Sequence, residues 1–190
     1  MPFPAFLDAC VLYPQHLNDT LLRLAAAETY RPLWSADVLD ELRRNLLIRI
    51  SRSAVDYRLG NMQQHFHDAE VTGYQSLLPT MTNDEKDRHV LAAAVRANAE
   101  VIVTFNVKHF PATALDPYDL VAVHPDDFLL DQLDLYPGIT LQCLHQQVAG
   151  YRKEPTTVPD LMTFLATRTG LPKFASEVLR HLPSMDSNAP

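Results

Sequence analysis

A chain of 190 residues in which 47% are hydrophobic and 21% are charged has the composition of a folded globular protein, not of a disordered one. Its formal net charge of -7 argues against binding nucleic acids through a general positive field, because such affinity comes mainly from Lys and Arg. No stretch reaches the roughly 20 apolar residues of a membrane span, and the first residues lack the basic flank of a signal peptide, so we expect a cytoplasmic protein with no membrane partner.

Two strand and helix pairs open the chain. Residues 3–7 form a short apolar run that ends at Asp8, and residues 18–27 carry leucines at helical spacing. A second apolar segment, residues 33–35, precedes residues 39–50, where apolar residues recur at three- and four-residue steps. The pattern predicts a strand, a helix, a second strand and a second amphipathic helix.

A third helix is predicted over residues 54–74, with Gly73 and Pro79 as its stop signals. Around its start, five arginines stand against the single acid Asp56: Arg43, Arg44, Arg49, Arg52 and Arg58. Two interpretations of this basic stretch stay open. It is either an ordinary solvated helix surface or a flank that follows phosphates or binds a partner.

The next unit has the most explicit boundaries. Thr82 followed by Glu85 fits a capping box, and residues 90–97 form a helical run of small residues that can pack closely against a sheet. Asn98 can adopt the left-handed conformation that stops a helix, and residues 101–104 follow as a β-branched strand. A strand of this kind is buried on both faces and is typical of a parallel sheet.

The last third of the chain changes character. Residues 120–123 form one more short strand, and residues 125–127 give an acidic opening to a helix. Beyond about residue 129 only helical stretches follow, near residues 139–150, 158–169 and 173–182. The sequence therefore predicts an α/β fold with a central, mostly parallel sheet flanked by helices over residues 1–128, and a small all-helical appendage over residues 129–190.

Three acids lie at separate points of this pattern: Asp8 after the first strand, Glu41 in the second helix, and Asp87 about one turn into the helix after the capping box. Right-handed crossovers place the ends of parallel strands, and so Asp8, Thr104 and Asn106, along one edge of the sheet. If the fold gathers all three acids there, a cation or a proton must neutralise their repulsion, and a hard divalent metal is the natural occupant.

Each acid also has a simpler explanation when taken alone. Asp8 could cap the helix that follows it, Glu41 could be a solvated helical charge, and Asp87 could favour the positive end of its helix. The joint occurrence of all three at element boundaries favours a shared site.

Four segments of the chain carry a resemblance to a known family. They are residues 6–14, the helix around residues 38–42, residues 86–94 and residues 103–111. In order and spacing they resemble the PIN-domain ribonucleases, and among these the VapC-type toxins of bacterial toxin-antitoxin pairs. The resemblance spans residues 3 to about 128 and implies a PIN-like three-layer fold.

The resemblance also implies a metal centre. Asp8, Glu41 and Asp87 correspond to the first three acidic positions of the family's site for Mg²⁺ or Mn²⁺, and Asn106 falls where many members carry a fourth acid. A neutral amide can ligate weakly or bind a coordinated water, but it removes one charge and can leave a second metal poorly held.

The activity implied is metal-dependent endonucleolytic hydrolysis of RNA, with Asp8, Glu41, Asp87 and Asn106 as the catalytic set. Four residues are expected to position the substrate: Thr104, Arg88, Lys108 and Arg44. The expected partners are the RNA substrate, a cognate antitoxin and a second copy of the chain in a homodimer. The alternative is a catalytically weak PIN domain that binds nucleic acid or protein, which Asn106 favours.

Overall fold

The computed structural model describes residues 2–182 of the chain and contains a five-stranded sheet. The strands are β1 (Pro4–Leu7), β2 (Arg31–Ser35), β3 (Glu70–Val71), β4 (Val101–Val103) and β5 (Val121–Val123). They lie in the order β3-β2-β1-β4-β5, and each neighbouring pair is parallel. The predicted parallel sheet is therefore confirmed.

Helices flank the sheet and make up the C-terminal part of the described chain, as the sequence predicts. They are α1 (Ala9–Leu12), α2 (Gln15–Ala26), α3 (Ala36–Leu47), α4 (Arg52–His65), α5 (Arg88–Arg96), α6 (Ala112–Leu115), α7 (Pro125–Leu135), α8 (Pro137–Ala149), α9 (Val158–Phe164) and α10 (Pro172–His181). Within residues 2–182, no helix is both long enough and apolar enough to cross a bilayer.

The central strands bring the first acid next to the end of β4. Phe6 in β1 pairs with Ile102 in β4, and both side chains are fully buried, as expected for strands covered on both faces. Because the two strands are parallel and in register, they end side by side. The backbone N–H of Asp8 donates to the carbonyl of Val103 at 3.2 Å, which fixes Asp8 at this edge of the sheet.

The predicted third helix over residues 54–74 is wrong in its second half. The helix ends at His65, and the chain then adds β3 to the edge of the sheet beside β2. The backbone N–H of Trp34 donates to the carbonyl of Ala69 at 3.0 Å, and both Ala69 and Val71 are buried. Pairing with β2 and burial of these two side chains outweigh the local helical pattern, which contains no signal for so short a strand.

The predicted capping box at Thr82 is also wrong. Asp84 caps this segment instead, because its side chain accepts a hydrogen bond from the backbone N–H of Lys86 at 3.1 Å. A single 3₁₀ turn follows, and α5 begins only at Arg88. Asp87 therefore lies immediately before the helix and not one turn inside it, and its side chain makes no capping hydrogen bond.

The C-terminal helices join the rest of the molecule through buried polar contacts. Thr20 on α2 donates to the side chain of Gln147 on α8 at 2.8 Å, and both residues are buried. The hydrophobic core is continuous from the sheet to α10. The predicted division at residue 128 falls inside α7, and it stays a prediction; residues 183–190 of the predicted appendage lie outside the described part.

Candidate active site

Asp8 is a buried carboxylate that is held in place from the β4 side. It precedes α1, yet its side chain makes no capping hydrogen bond to that helix. Instead, its Oδ2 accepts a hydrogen bond from the hydroxyl of Thr104 at 2.7 Å and another from the thiol of Cys10 at 3.1 Å. The interpretation of Asp8 as a helix cap is therefore wrong, since the side chain turns towards the end of β4.

Thr104 and Asn106 extend the same edge. The side-chain oxygen of Thr104 is buried, and it accepts a hydrogen bond from the backbone N–H of Asn106 at 3.0 Å. Asn106 is partly exposed and begins the 3₁₀ turn Val107–His109 without using its side chain as a cap. The structure thus brings Asp8, Thr104 and Asn106 into one connected group.

The pKa of Glu41 on α3 is affected by both of the other predicted acids. Burial raises the pKa of Glu41 first, and the negative charges of Asp8 and Asp87 raise it further. His89 and Arg44 act in the opposite direction and lower the pKa of Glu41. Glu41 therefore lies close enough to Asp8 and to Asp87 for its charge to interact with each of them, which a shared site requires.

Two histidines contact these acids. His109 Nδ1 lies 2.6 Å from Asp87 Oδ2, and His89 Nε2 lies 3.9 Å from Glu41 Oε2. The ligand atoms of Asp87 and His109, together with one from Asp84, all lie within 4.8 Å of one another. Neither histidine nor Asp84 was predicted from the sequence as a site residue, although all three lie within three residues of Asp87 or Asn106.

Three basic residues of the predicted substrate-positioning set lie beside these acids in the chain. Arg88 follows Asp87 directly and is partly buried, and its Nε has no hydrogen-bond partner among the described residues. Lys108 is exposed in the turn after Asn106, and Arg44 is exposed on α3 and acts on the pKa of Glu41. Positive charge is therefore present near the acids, but within residues 2–182 none of these three basic side chains forms a close ion pair with Asp8, Glu41 or Asp87.

The donor atoms fit a hard divalent cation. Asp8, Glu41 and Asp87 offer carboxylate oxygens, which suit both Mg²⁺ and Mn²⁺. The crowding of negative charge that raises the pKa of Glu41 would be relieved by a cation. Burial raises the pKa of the Cys10 thiol to about 12, so this group stays a neutral hydrogen-bond donor beside Asp8.

A cavity of about 410 Å³ lies elsewhere, between β5 and α7. Its lining includes Phe3, Val121, Phe128 and Leu135, and none of the candidate site residues is among the described residues that line it. The cavity is therefore separate from the three acids.

Comparison with known proteins gives matches to both parts of the chain. Residues 4–108 match a family described as the PIN domain, and residues 125–180 match one described as the VapC50 C-terminal domain. The chain is 52% identical over 112 residues to a protein from Mycobacterium tuberculosis (strain ATCC 25618 / H37Rv) named "Putative ribonuclease VapC50". This alignment covers 59% of the chain and 65% of the relative, just under two thirds of the relative's length.

No solved structure matches the chain significantly. The fold assignment therefore depends on the parallel sheet with its flanking helices and on the sequence match over residues 4–108. Because that match covers more than half of the 190 residues, the chain belongs to the PIN-domain family.

Proposed function

We propose that this protein is a metal-dependent endoribonuclease that hydrolyses RNA phosphodiester bonds. The observation that carries the proposal is the electrostatic interaction of Glu41 with Asp8 and with Asp87 in a chain of the PIN-domain family. The name of the relative from Mycobacterium tuberculosis, a ribonuclease, supports the same reaction.

The three acids would hold Mg²⁺ or Mn²⁺, with Asn106 as a weaker fourth contact in place of an acid. A bound divalent cation would lower the pKa of an attacking water and would offset the negative charge that grows on the phosphate. Thr104 fixes the orientation of Asp8 through its hydrogen bond to Oδ2. Because Asp8 is buried, its carboxylate cannot turn into solvent, and its free oxygen stays directed by the surrounding fold.

Arg88, Lys108 and Arg44 would position the RNA backbone. Carboxylates alone would repel a polyanion, and the whole chain has a net charge of -7. Basic side chains near the acids reverse the sign of the local potential together with the cation. Because these contacts go to phosphates, they support binding to the RNA backbone and carry no information about its sequence.

We further propose that the protein acts in the cytoplasm as the toxin of a type II toxin-antitoxin pair. Its surface offers a place for a protein partner at the hairpin of α3 and α4. Four large hydrophobic side chains are exposed there, namely Leu47, Ile48, Ile50 and Tyr57, with Ile48 80% and Tyr57 72% exposed. Exposed apolar groups of this size are typical of interaction surfaces, so an antitoxin or a second copy of the chain in a homodimer would cover them.

The proposal also assigns a role to each of the two parts of the chain. Residues 1–128 would hold the nuclease activity, and residues 129–190 would form the extension. The match to the VapC50 C-terminal domain begins at residue 125, close to this boundary. Since the core is continuous across it, the extension would complete the fold of the nuclease part.

A second candidate function is supported by Asn106. A neutral side chain at this position removes one charge from the predicted metal centre, and a weakened centre would leave a PIN domain that binds nucleic acid or protein without cleaving RNA. Cleavage that depends on a divalent metal separates the two candidates.

The experiment that tests the proposal compares RNA cleavage by the wild type with cleavage by Asp8→Asn and Asp87→Asn. Each variant keeps the shape of the side chain and removes one ligand charge, so we expect activity in Mn²⁺ to fall by at least about 100-fold. Asp134→Asn, an exposed acid on α7, is the matched control and should leave activity unchanged. Undiminished cleavage by both site variants, or by the wild type in excess chelator, would reject the mechanism.

A further inference from the structure

Two parallel chains of hydrogen bonds converge on a single oxygen of Asp8. In the first, the backbone N–H of Phe105 donates to the sulfur of Cys10 at 3.3 Å, and the thiol donates to Asp8 Oδ2 at 3.1 Å. In the second, the backbone N–H of Asn106 donates to the Thr104 hydroxyl oxygen at 3.0 Å, and that hydroxyl donates to the same Oδ2 at 2.7 Å. Both chains start in the turn that follows β4.

We infer that Cys10 is a positioning residue that, together with Thr104, fixes which oxygen of Asp8 faces the cation. This inference rests on the proposed function, because it concerns how Asp8 would hold a metal. The thiol and the hydroxyl occupy Oδ2, whereas Oδ1 has no hydrogen-bond donor among the described residues. Oδ1 is therefore the oxygen left for a ligand.

One donor alone would not fix the carboxylate as well as two. A single hydrogen bond to one oxygen still permits the carboxylate plane to rotate about χ2, a torsion with a broad energy minimum. Two donors that approach the same oxygen from different residues restrict that rotation. Binding a cation to a carboxylate that is already oriented avoids the entropic cost of ordering it, which is how residues behind a ligand raise metal affinity.

The hydrogen-bond pattern assigns the thiol as a donor and not only as a packing group. Cys10 has a single S–H hydrogen. Its sulfur accepts a hydrogen bond from the backbone N–H of Phe105, and the S–H hydrogen is then available to be donated to Asp8. The 3.4 Å contact between the Cys10 sulfur and Thr104 Oγ1 does not compete strongly, because the Thr104 hydroxyl hydrogen is directed to Asp8 at a shorter distance.

The test measures Mn²⁺ binding by calorimetry, separately from RNA cleavage, in the full chain and in Cys10→Ser and Cys10→Ala. Serine keeps a donor at the same position and alanine removes it. We expect Cys10→Ala to weaken Mn²⁺ binding by about tenfold, the lower end of the effects seen when partners of metal ligands are removed. Cys10→Ser should restore binding to within about twofold of the wild type.

The other cysteine provides a matched control. Cys143 is buried on α8, and its thiol donates to the carbonyl of Arg23 at 3.7 Å and not to a residue of the candidate site. Cys143→Ser should leave Mn²⁺ binding unchanged. Thermal unfolding of every variant without metal would show that each remains folded, so that a loss of affinity is not a loss of structure.

The outcomes separate this inference from the proposed function. If the wild type binds Mn²⁺ and Cys10→Ala binds it equally well, or if Cys10→Ser and Cys10→Ala weaken it to the same extent, the positioning role is wrong and the proposed metal centre stands. If the wild type itself binds no Mn²⁺ and does not cleave RNA, the proposed function fails. Weaker Mn²⁺ binding by Cys10→Ala, together with nearly wild-type binding by Cys10→Ser, supports the inference.

Discussion

Glu41 combines partial burial with the charge of two neighbouring acids, and both effects raise its pKa. Its protonated form is therefore favoured in the folded protein relative to the unfolded chain. Without a metal, the stability linked to this group is complete below its unfolded pKa and is lost as pH rises through the higher folded value. At neutral pH the ionised Glu41 thus destabilises the metal-free protein, and cation binding would reverse that effect.

Glu41→Gln should consequently stabilise the metal-free protein at neutral pH and remove the stabilisation that Mn²⁺ gives to the wild type. The first effect should stay below about 1 kcal/mol, because Glu41 is partly exposed and solvent screens its charge. Thermal unfolding with and without Mn²⁺ at pH 7.5 measures both. Glu100→Gln, an exposed acid before β4, is the control; an equal response in both variants would contradict the account.

Some contacts between single residues could be predicted from the sequence, and others could not. Asp8 and Thr104 could be predicted as neighbours, because parallel strands end at a common edge. The contact between Asp87 and His109 could not, because it joins segments 22 positions apart through turns with no strong pattern. The hydrogen bonds of the Cys10 thiol could not be predicted either, since a sequence does not reveal which groups a thiol contacts.

At the scale of elements, strands with strong patterns were predictable and the weakest strand was not. The β-branched segment of β4 matched the prediction, and so did the stop signal of α5 at Asn98, which has a left-handed φ of 49°. β3 has only two residues, and its backbone pairing with β2 depends on a tertiary contact. Its sequence therefore continued the helical pattern of α4 with no local break.

The start of α10 depends on one buried carboxylate at the start of α7. Asp126 accepts hydrogen bonds from the backbone N–H groups of Lys173 at 3.1 Å and Phe174 at 2.9 Å, and it is almost fully buried. These are two of the N–H groups that an α-helix leaves without an internal partner. Asp126 thus caps α10 from a distance of 47 positions in the chain and ties the C-terminal helices together.

Asp126→Ala should destabilise the protein by about 1–3 kcal/mol, because it leaves buried donors without acceptors. Asp127→Ala is a matched control next to it, since its solvent-exposed ion pair with the side chain of Lys173 should contribute much less to stability. Urea unfolding of both variants gives the comparison. Equal losses would mean that Asp126 acts by charge alone and not as a cap.

At the scale of the whole molecule, an acidic protein is proposed to act on a polyanion. The net charge of -7 excludes a general positive field, so attraction for RNA must be local. The fold is consistent with this proposal because the charge of Glu41 interacts with those of Asp8 and Asp87, and basic residues lie near these acids in the chain. The continuous core means that such tests require the full chain, because removing the C-terminal helices would expose apolar surface.

The central claim is that Asp8, Glu41 and Asp87 share a divalent cation. The most direct measurement is the position of Mn²⁺ in a crystal of the full chain, located by its anomalous scattering. We predict Mn²⁺ within about 2.0–2.3 Å of carboxylate oxygens from at least two of these acids. Mn²⁺ bound only at Asp84 and His109, or no Mn²⁺ near the three acids at saturating concentration, would contradict the account.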